Sequence, residues 1–306
     1  MPSTETYPIQ EFLNYLTFQK RYSENTIVSY QNDLTAFFEF IFLEYKINNV
    51  KEITPPVIRT WLASLKENKS SSKTINRKIS SLKSFFKYQL RMKNICINPA
   101  ATISSLKISR RLPSFIEEKD IKTLLNHDSL LNHDYFPETF EGKTNFLLFE
   151  ILYQTGIRRN ELIHLKESDI DKYSSTIKVL GKGNKERLIP VNNEMLRMID
   201  EYISEKKKQF PELQEDFLLV NKKGKYLDPK YVYNVVKRNL SKVSTNERKS
   251  PHVLRHSFAT HLTNHGAEIN SIKELLGHSS LTATQIYTHN TIEKLKEVHK
   301  QAHPKS

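Results

Sequence analysis

The stretch from Ser250 to Thr288 constrains this chain more than any other. It reads SPHVLRHSFATHLTNHGAEINSIKELLGHSSLTATQIYT and, with His289, holds six of the eleven histidines. Leu254, Phe258 and Leu262 recur at helical spacing, so a helix from Pro251 to His265 would bury that stripe. The same helix puts His252 and Arg255, three apart, on one face. Gly266 is its expected C′ stop. Gly277 breaks the next short helix just before His278, and Tyr287 follows nine residues on. A packed scaffold thus presents basic side chains with a tyrosine hydroxyl delivered nearby. Fixed cations and a hydroxyl suit attack on a phosphodiester, because the cations stabilise charge developing on the phosphate oxygens.

Two plainer explanations compete. His252 with His256, and His261 with His265, are i, i+4 pairs of the kind that bind zinc. No carboxylate or cysteine stands beside them as an obvious third ligand, and the lone Cys96 is distant in sequence. His256, His261 and His265 are therefore read as packing or surface groups.

A chain of 306 residues suggests about two domains. Its 47 basic and 34 acidic residues give a net charge of +13, which points to a polyanionic partner and first of all to nucleic acid. A single cysteine excludes an internal disulfide. Neither a signal peptide nor an apolar run of membrane-spanning length is present, so a cytoplasmic protein is the simplest expectation. The charge is uneven. From Thr54 to Pro113 there are 13 basic residues and one acid, Glu67, where a solvated face would mix signs. That segment reads as a surface for phosphates.

Apolar stripes predict four or five helices and no strand in the first third. They run Ile9, Phe12, Leu13, Leu16; then Ile27, Tyr30, Leu34, Phe37, Phe38, Ile41; then, after Thr54–Pro55, Val57, Ile58, Trp61, Leu62, Leu65; then Ile75, Ile79, Leu82, Phe86, Leu90. The last helix would turn Arg77, Lys78, Lys83, Lys87 and Arg91 outward. Residues 104–114, SSLKISRRLPS, read as a linker, since Pro113 bars helix continuation.

A second domain begins near Phe115. Residues 126–143, with Pro137 and Gly142, read as a polar loop of no assigned role, and a packed helix from Thr144 to Thr155 ends at Gly156. TGIRRNEL follows, with Arg158 in a turn and Asn160 as the expected N-cap of the next helix. Glu161 either pairs with an arginine or is a surface helix-start acid. Ile177–Leu180 and Glu186–Val191 flank GKGNK, the pattern of a β-hairpin. Further expectations are a helix over 192–209, a small hairpin from Phe217–Val220 with Lys225–Leu227, a helix over Pro229–Leu240, and a short amphipathic helix from Thr291 to Lys300.

H-x-x-R, G-H and the spaced tyrosine, with TGxRxxEL and GKGNKER, resemble the tyrosine recombinases, the integrase family. PHVLRHSFATHL, LLGHSS and TQIYTH are similar to its Xer branch, which resolves chromosome dimers. The resemblance implies a mainly α fold: an N-terminal helical, SAM-like core-binding domain (1–108), a linker (109–114) that crosses the DNA backbone so the two domains form a clamp, and an α+β catalytic domain (115–306) with a small β-hairpin sheet. It implies a site-specific recombinase that works through a 3′-phosphotyrosine and a Holliday junction. Tyr287 would be the nucleophile, Arg158 and Arg255 the phosphate clamps, Lys182 the general acid, His252 the base, and His278 a phosphate hydrogen-bond donor. No cofactor and no metal are expected. The implied partners are double-stranded DNA at a specific site, a tetramer on two sites (alone or with a paralogue), and an activating DNA translocase. A type IB topoisomerase shares the chemistry, but the Xer-like wording argues against it. A mobile-element integrase is the nearer alternative; many carry an N-terminal arm-binding domain, for which residues 1–6 leave no room. A basic DNA-binding protein with a dead site fits poorly with six role-bearing residues.

Overall fold

The computed structural model describes residues 7–108, 115–125, 135–181 and 185–277. The chain divides into two compact units at Arg111–Leu112.

The first unit is helical. Helix α1 (Ile9–Asn14) runs into a π-helical turn (Tyr15–Gln19), followed by α2 (Glu24–Tyr45), a 3-10 turn (Val50–Glu52), α3 (Pro55–Glu67) and α4 (Ser72–Arg91). Thr54 precedes a proline at the first helical position of α3, where no N–H is needed. Ser71 caps α4 by accepting from the Thr74 amide at 3.2 Å. The stripes converge on an aromatic core in which rings meet edge to face: Phe12 on Phe85 at 5.5 Å, Phe38 on Phe85 at 5.3 Å, and Phe37 on Trp61 at 5.0 Å.

Two expectations for α4 need correction. Its buried face is centred toward Phe85, so Leu90 is exposed and Gln89 is buried in its place. Nor is its basic face uniform. Asp33, a buried carboxylate on α2, accepts from Arg77 Nη1 at 2.5 Å and Ser81 Oγ at 2.8 Å and pairs with Lys78 Nζ at 3.2 Å. Lys78 also lies over the Trp61 ring. Arg77 and Lys78 therefore brace α4 against α2.

The second unit is α+β. It contains α5 (Glu118–Leu125), α6 (Phe140–Thr155), α7 (Arg159–Ile163), α8 (Asn193–Gln209), α9 (Pro229–Val243), α10 (Pro251–Asn264) and α11 (Ile269–Leu276). Strands β1 (Ile170–Asp171), β2 (Thr176–Leu180) and β3 (Glu186–Pro190) form an antiparallel sheet in that order, with Thr176 opposite Pro190 and Leu180 opposite Glu186. Helix α6 is buried on nearly every side and is the axis of this unit; Leu148, Phe149, Ile151 and Leu152 are fully inaccessible, and Glu150, Gln154 and Thr155 are buried with them. It packs against α10 and α8.

Here too the boundaries shift. Thr139 caps α6 by accepting from the Gly142 amide at 3.1 Å, so Gly142 lies in the first helical turn and not in a loop. Arg158, not Asn160, is the N-cap of α7. The expected small hairpin reduces to a single bridge, Val220 with Tyr226, while Phe217 bridges instead to Lys166. Residues 126–134 and the expected helix at Thr291–Lys300 lie outside the described residues. Among the described residues, no helix is long and apolar enough to cross a membrane.

Candidate active site

The site is built where α6 and α11 end. The last carbonyls of a helix have no partner within it and carry its negative pole. Here arginines supply the partners. Arg255 Nη1 donates to Gly156 O at 2.6 Å, and its Nη2 donates to Leu276 O at 2.5 Å. Arg158 Nη2 donates to Gly277 O at 3.1 Å. Arg187 Nε donates to Leu275 O at 2.9 Å. Three guanidiniums thus take consecutive carbonyls at the end of α11.

The two glycines at these ends are required by geometry. Gly156 and Gly277 have φ of +59° and +62°, where side chains are strained. A Cβ on Gly156 would also sit 2.5 Å from the Phe258 ring, and one on Gly277 would sit 3.1 Å from Arg187 Cδ.

Glu161 binds the arginines to each other. Its carboxylate accepts from Arg187 Nη1 at 3.0 Å and Nη2 at 2.7 Å, a bidentate pair. It also accepts from Arg158 Nη1 and from the Arg158 amide, both at 2.7 Å. Burial resists ionisation of this carboxyl, but the bonds from Arg187 and Arg158 outweigh burial and hold its pKa down at about 2. Arg255 is buried, and desolvation with the neighbouring Arg158 and Arg187 lowers its pKa to about 10. It stays charged at neutral pH. The cluster carries three cations against one anion, an electrostatic surplus suited to a phosphodiester.

His252 lies one helical turn before Arg255 on α10 and is exposed. Partial desolvation of its ring, then the charges of Arg159, Arg255 and Arg158, lower its pKa. Its neutral form, able to accept a proton, is favoured. Arg159 itself turns away, its Nη1 donating to Pro229 O at 3.3 Å.

The other histidines divide. His261 is buried; its Nε2 donates to Ile116 O at 3.0 Å, so its Nδ1 accepts from Tyr153 OH at 3.0 Å. Both ring nitrogens are engaged in packing the start of this unit onto α10. His265 faces Glu118 at 3.5 Å.

The structure therefore brings Arg158, Arg255 and His252 together. Lys182, His278 and Tyr287 lie outside the described residues. Their described neighbours reach the cluster: a Cβ on Gly181 would lie 3.4 Å from Arg187 Nη1, and Gly277 precedes His278. Arg187 was missed as a site residue. A signal existed, since Arg187 and Ile189 share one face of β3 and Arg187 pairs across from Val179, so a charge falls at an inward strand position.

The profile of the phage integrase family matches residues 114–294, and that of the phage integrase N-terminal SAM-like domain matches residues 9–93. The chain belongs to the phage integrase family. Tyrosine recombinase XerC of Anoxybacillus flavithermus is 35% identical over 303 residues, covering 98% of both chains. Tyrosine recombinase XerD of Staphylococcus saprophyticus is 32% identical over 299 residues, covering 97% of this chain and 99% of its own. Among solved structures, XerH site-specific recombinase bound to palindromic difH substrate superposes with a TM-score of 0.70 at 24% identity, over 95% of this chain and 83% of that one. The protein is thus a Xer-type tyrosine recombinase, an enzyme that breaks and rejoins DNA in site-specific recombination. A mainly α chain with a SAM-like N-terminal unit and an α+β catalytic unit is the fold expected of it.

Proposed function

We propose that Tyr287 attacks one DNA phosphate, giving a 3′-phosphotyrosine and a free 5′-hydroxyl, and that paired cycles of this reaction pass through a Holliday junction. The observation that carries the reading is the pair Arg158 and Arg255, fixed at two helix ends. Two forks clamp the non-bridging oxygens and stabilise the charge that grows on them. His252, its pKa lowered, takes the tyrosine proton. Lys182 gives a proton to the leaving 5′-oxygen, and His278 hydrogen-bonds the phosphate. The covalent link conserves the bond energy, so strand exchange needs no nucleotide hydrolysis.

The partner is double-stranded DNA at a specific site. Residues 1–108 are its core-binding domain, 109–114 the linker, and 115–306 the catalytic domain, which together clamp the duplex. Four protomers assemble on two sites, alone or with a paralogue, in the cytoplasm, and a DNA translocase activates them. The segment 291–306 ties each protomer to the next. The biological outcome is resolution of chromosome or plasmid dimers.

Incubation with two copies of the duplex that the full chain selects from a random-sequence pool tests the reading. Recombinant junctions are expected from the wild type and none from Tyr287→Phe, which still binds. Supercoil relaxation without junctions would favour a topoisomerase.

A further inference from the structure

We propose that Arg187 is a positioning residue of the cleavage reaction, and that it acts by holding the Glu161 carboxylate in place so that Arg158 stays aimed. The inference rests on the recombinase reading of the Arg158–Arg255 pair.

Arg187 does not need to touch DNA to matter. It is buried on the inward face of β3. Its three nitrogens join three parts of the chain far apart in sequence: Nη1 and Nη2 hold Glu161 on α7, and Nε holds Leu275 O at the end of α11. Each of these contacts borders a candidate catalytic group. Glu161 holds both the side chain and the amide of Arg158. Leu275 lies three residues before His278, and the Leu276 and Gly277 carbonyls beyond it receive Arg255 and Arg158. Gly181, which precedes Lys182 in sequence, approaches the same guanidinium. One planar side chain therefore sets the spacing between the turn, the hairpin and the helix end.

The chemistry follows from charge. Glu161 is buried, and without Arg187 its desolvation would be opposed by Arg158 alone. Its pKa would then rise from about 2. Once protonated, it can no longer hold Arg158 by a charged bond. A misplacement of about 1 Å at a reacting centre costs about a hundredfold in rate.

The test compares wild type, Arg187→Met, Arg187→Lys and the double variant Glu161→Gln/Arg187→Met, each as the full chain. Single-turnover adduct formation is followed from pH 5 to 8 on a nicked form of the pool-selected duplex. Arg187→Met should form adduct about a hundredfold more slowly and bind that duplex within about twofold of wild type. Its rate should gain a second ascending dependence on pH, added to the limb that His252 gives the wild type, because a carboxyl must now ionise, and the double variant should lose that added dependence. Arg187→Lys should recover part of the rate. A wild-type rate and pH profile in Arg187→Met would overturn the proposal. A second measurement needs no DNA: hydrogen exchange of the folded proteins. Arg187→Met should speed exchange at the Arg158 amide and at residues 275–277 while the core of α6 stays protected. Unchanged exchange there would overturn the proposal even if the wild type formed no adduct, whereas a wild type without adduct and with the expected exchange change would count against the recombinase reading alone.

Discussion

Two buried carboxylates, one in each unit, are held by cations in different ways. Asp33 receives Arg77, Lys78 and Ser81, all from a single helix, α4. Glu161 receives Arg158 from its own helix start and Arg187 from a strand, and both arginines continue to the end of α11. The first arrangement fastens two helices and commits its cations to that joint. The second aims cations at a point where three segments meet. A buried ion pair is therefore not functional in itself; what distinguishes Glu161 is that its partners also border candidate catalytic groups.

The largest separation between the regions should appear on removing Arg255. Arg255→Ala should lower the adduct-forming rate by about 10²–10³ or more, as loss of a transition-state charge partner does, with duplex binding little changed. Asp33→Asn should leave that rate within about twofold and cost stability of about 2 kcal/mol, measured by urea melts, for weakened bonds to a charged group. Comparable rate losses in both would erase the distinction.

Acid sensitivity sharpens it. A carboxyl whose folded pKa is lowered from 4.5 to about 2 adds stability that is complete above about 4.5 and is lost as pH falls through about 2. Glu161→Gln should therefore remove about 3 kcal/mol of pH-dependent stability and flatten the melting profile between those values. A profile as steep as that of the wild type would mean that Glu161 is not the group held down. In the same pH series, the ascending limb of cleavage governed by His252 should lie below the ordinary histidine value of 6.5, because partial desolvation of the ring and three neighbouring arginines lower its pKa. A limb above 6.5 would point to another base.

The smallest effect concerns the basic face of α4. Reversing Lys83, Lys87 and Arg91 to glutamate should lower the log–log salt slope of DNA binding by about one unit per lost contact. Lys78→Ala should leave it unchanged, because that ammonium is committed to Asp33 and Trp61.

Much of this was legible in the chain. The stripes of α2 and α10, the glycine stops at Gly156 and Gly277, and the place of the hairpin follow from local periodicity and turn chemistry, which depend on neighbours in sequence. Arg158, Arg255 and His252 could be named from motif spacing. What could not be read depends on residues far apart: that Arg77 and Lys78 turn inward to Asp33 some 44 residues away, or that Arg187 spans to Glu161 and Leu275. Leu90 was misjudged because the exposed and buried sides of a helix are set by what packs on it, and Phe85 drew the face around.

Tyr287 is the residue that the arginine pair is proposed to serve. The most direct measurement is to trap the full chain on a nicked, pool-selected duplex, digest the adduct and locate the DNA-bearing peptide by mass spectrometry. One linkage is expected, from the Tyr287 oxygen to a DNA 3′-phosphate, absent in Tyr287→Phe. A linkage at another side chain or to a 5′-phosphate, or an adduct that persists in Tyr287→Phe, would contradict it.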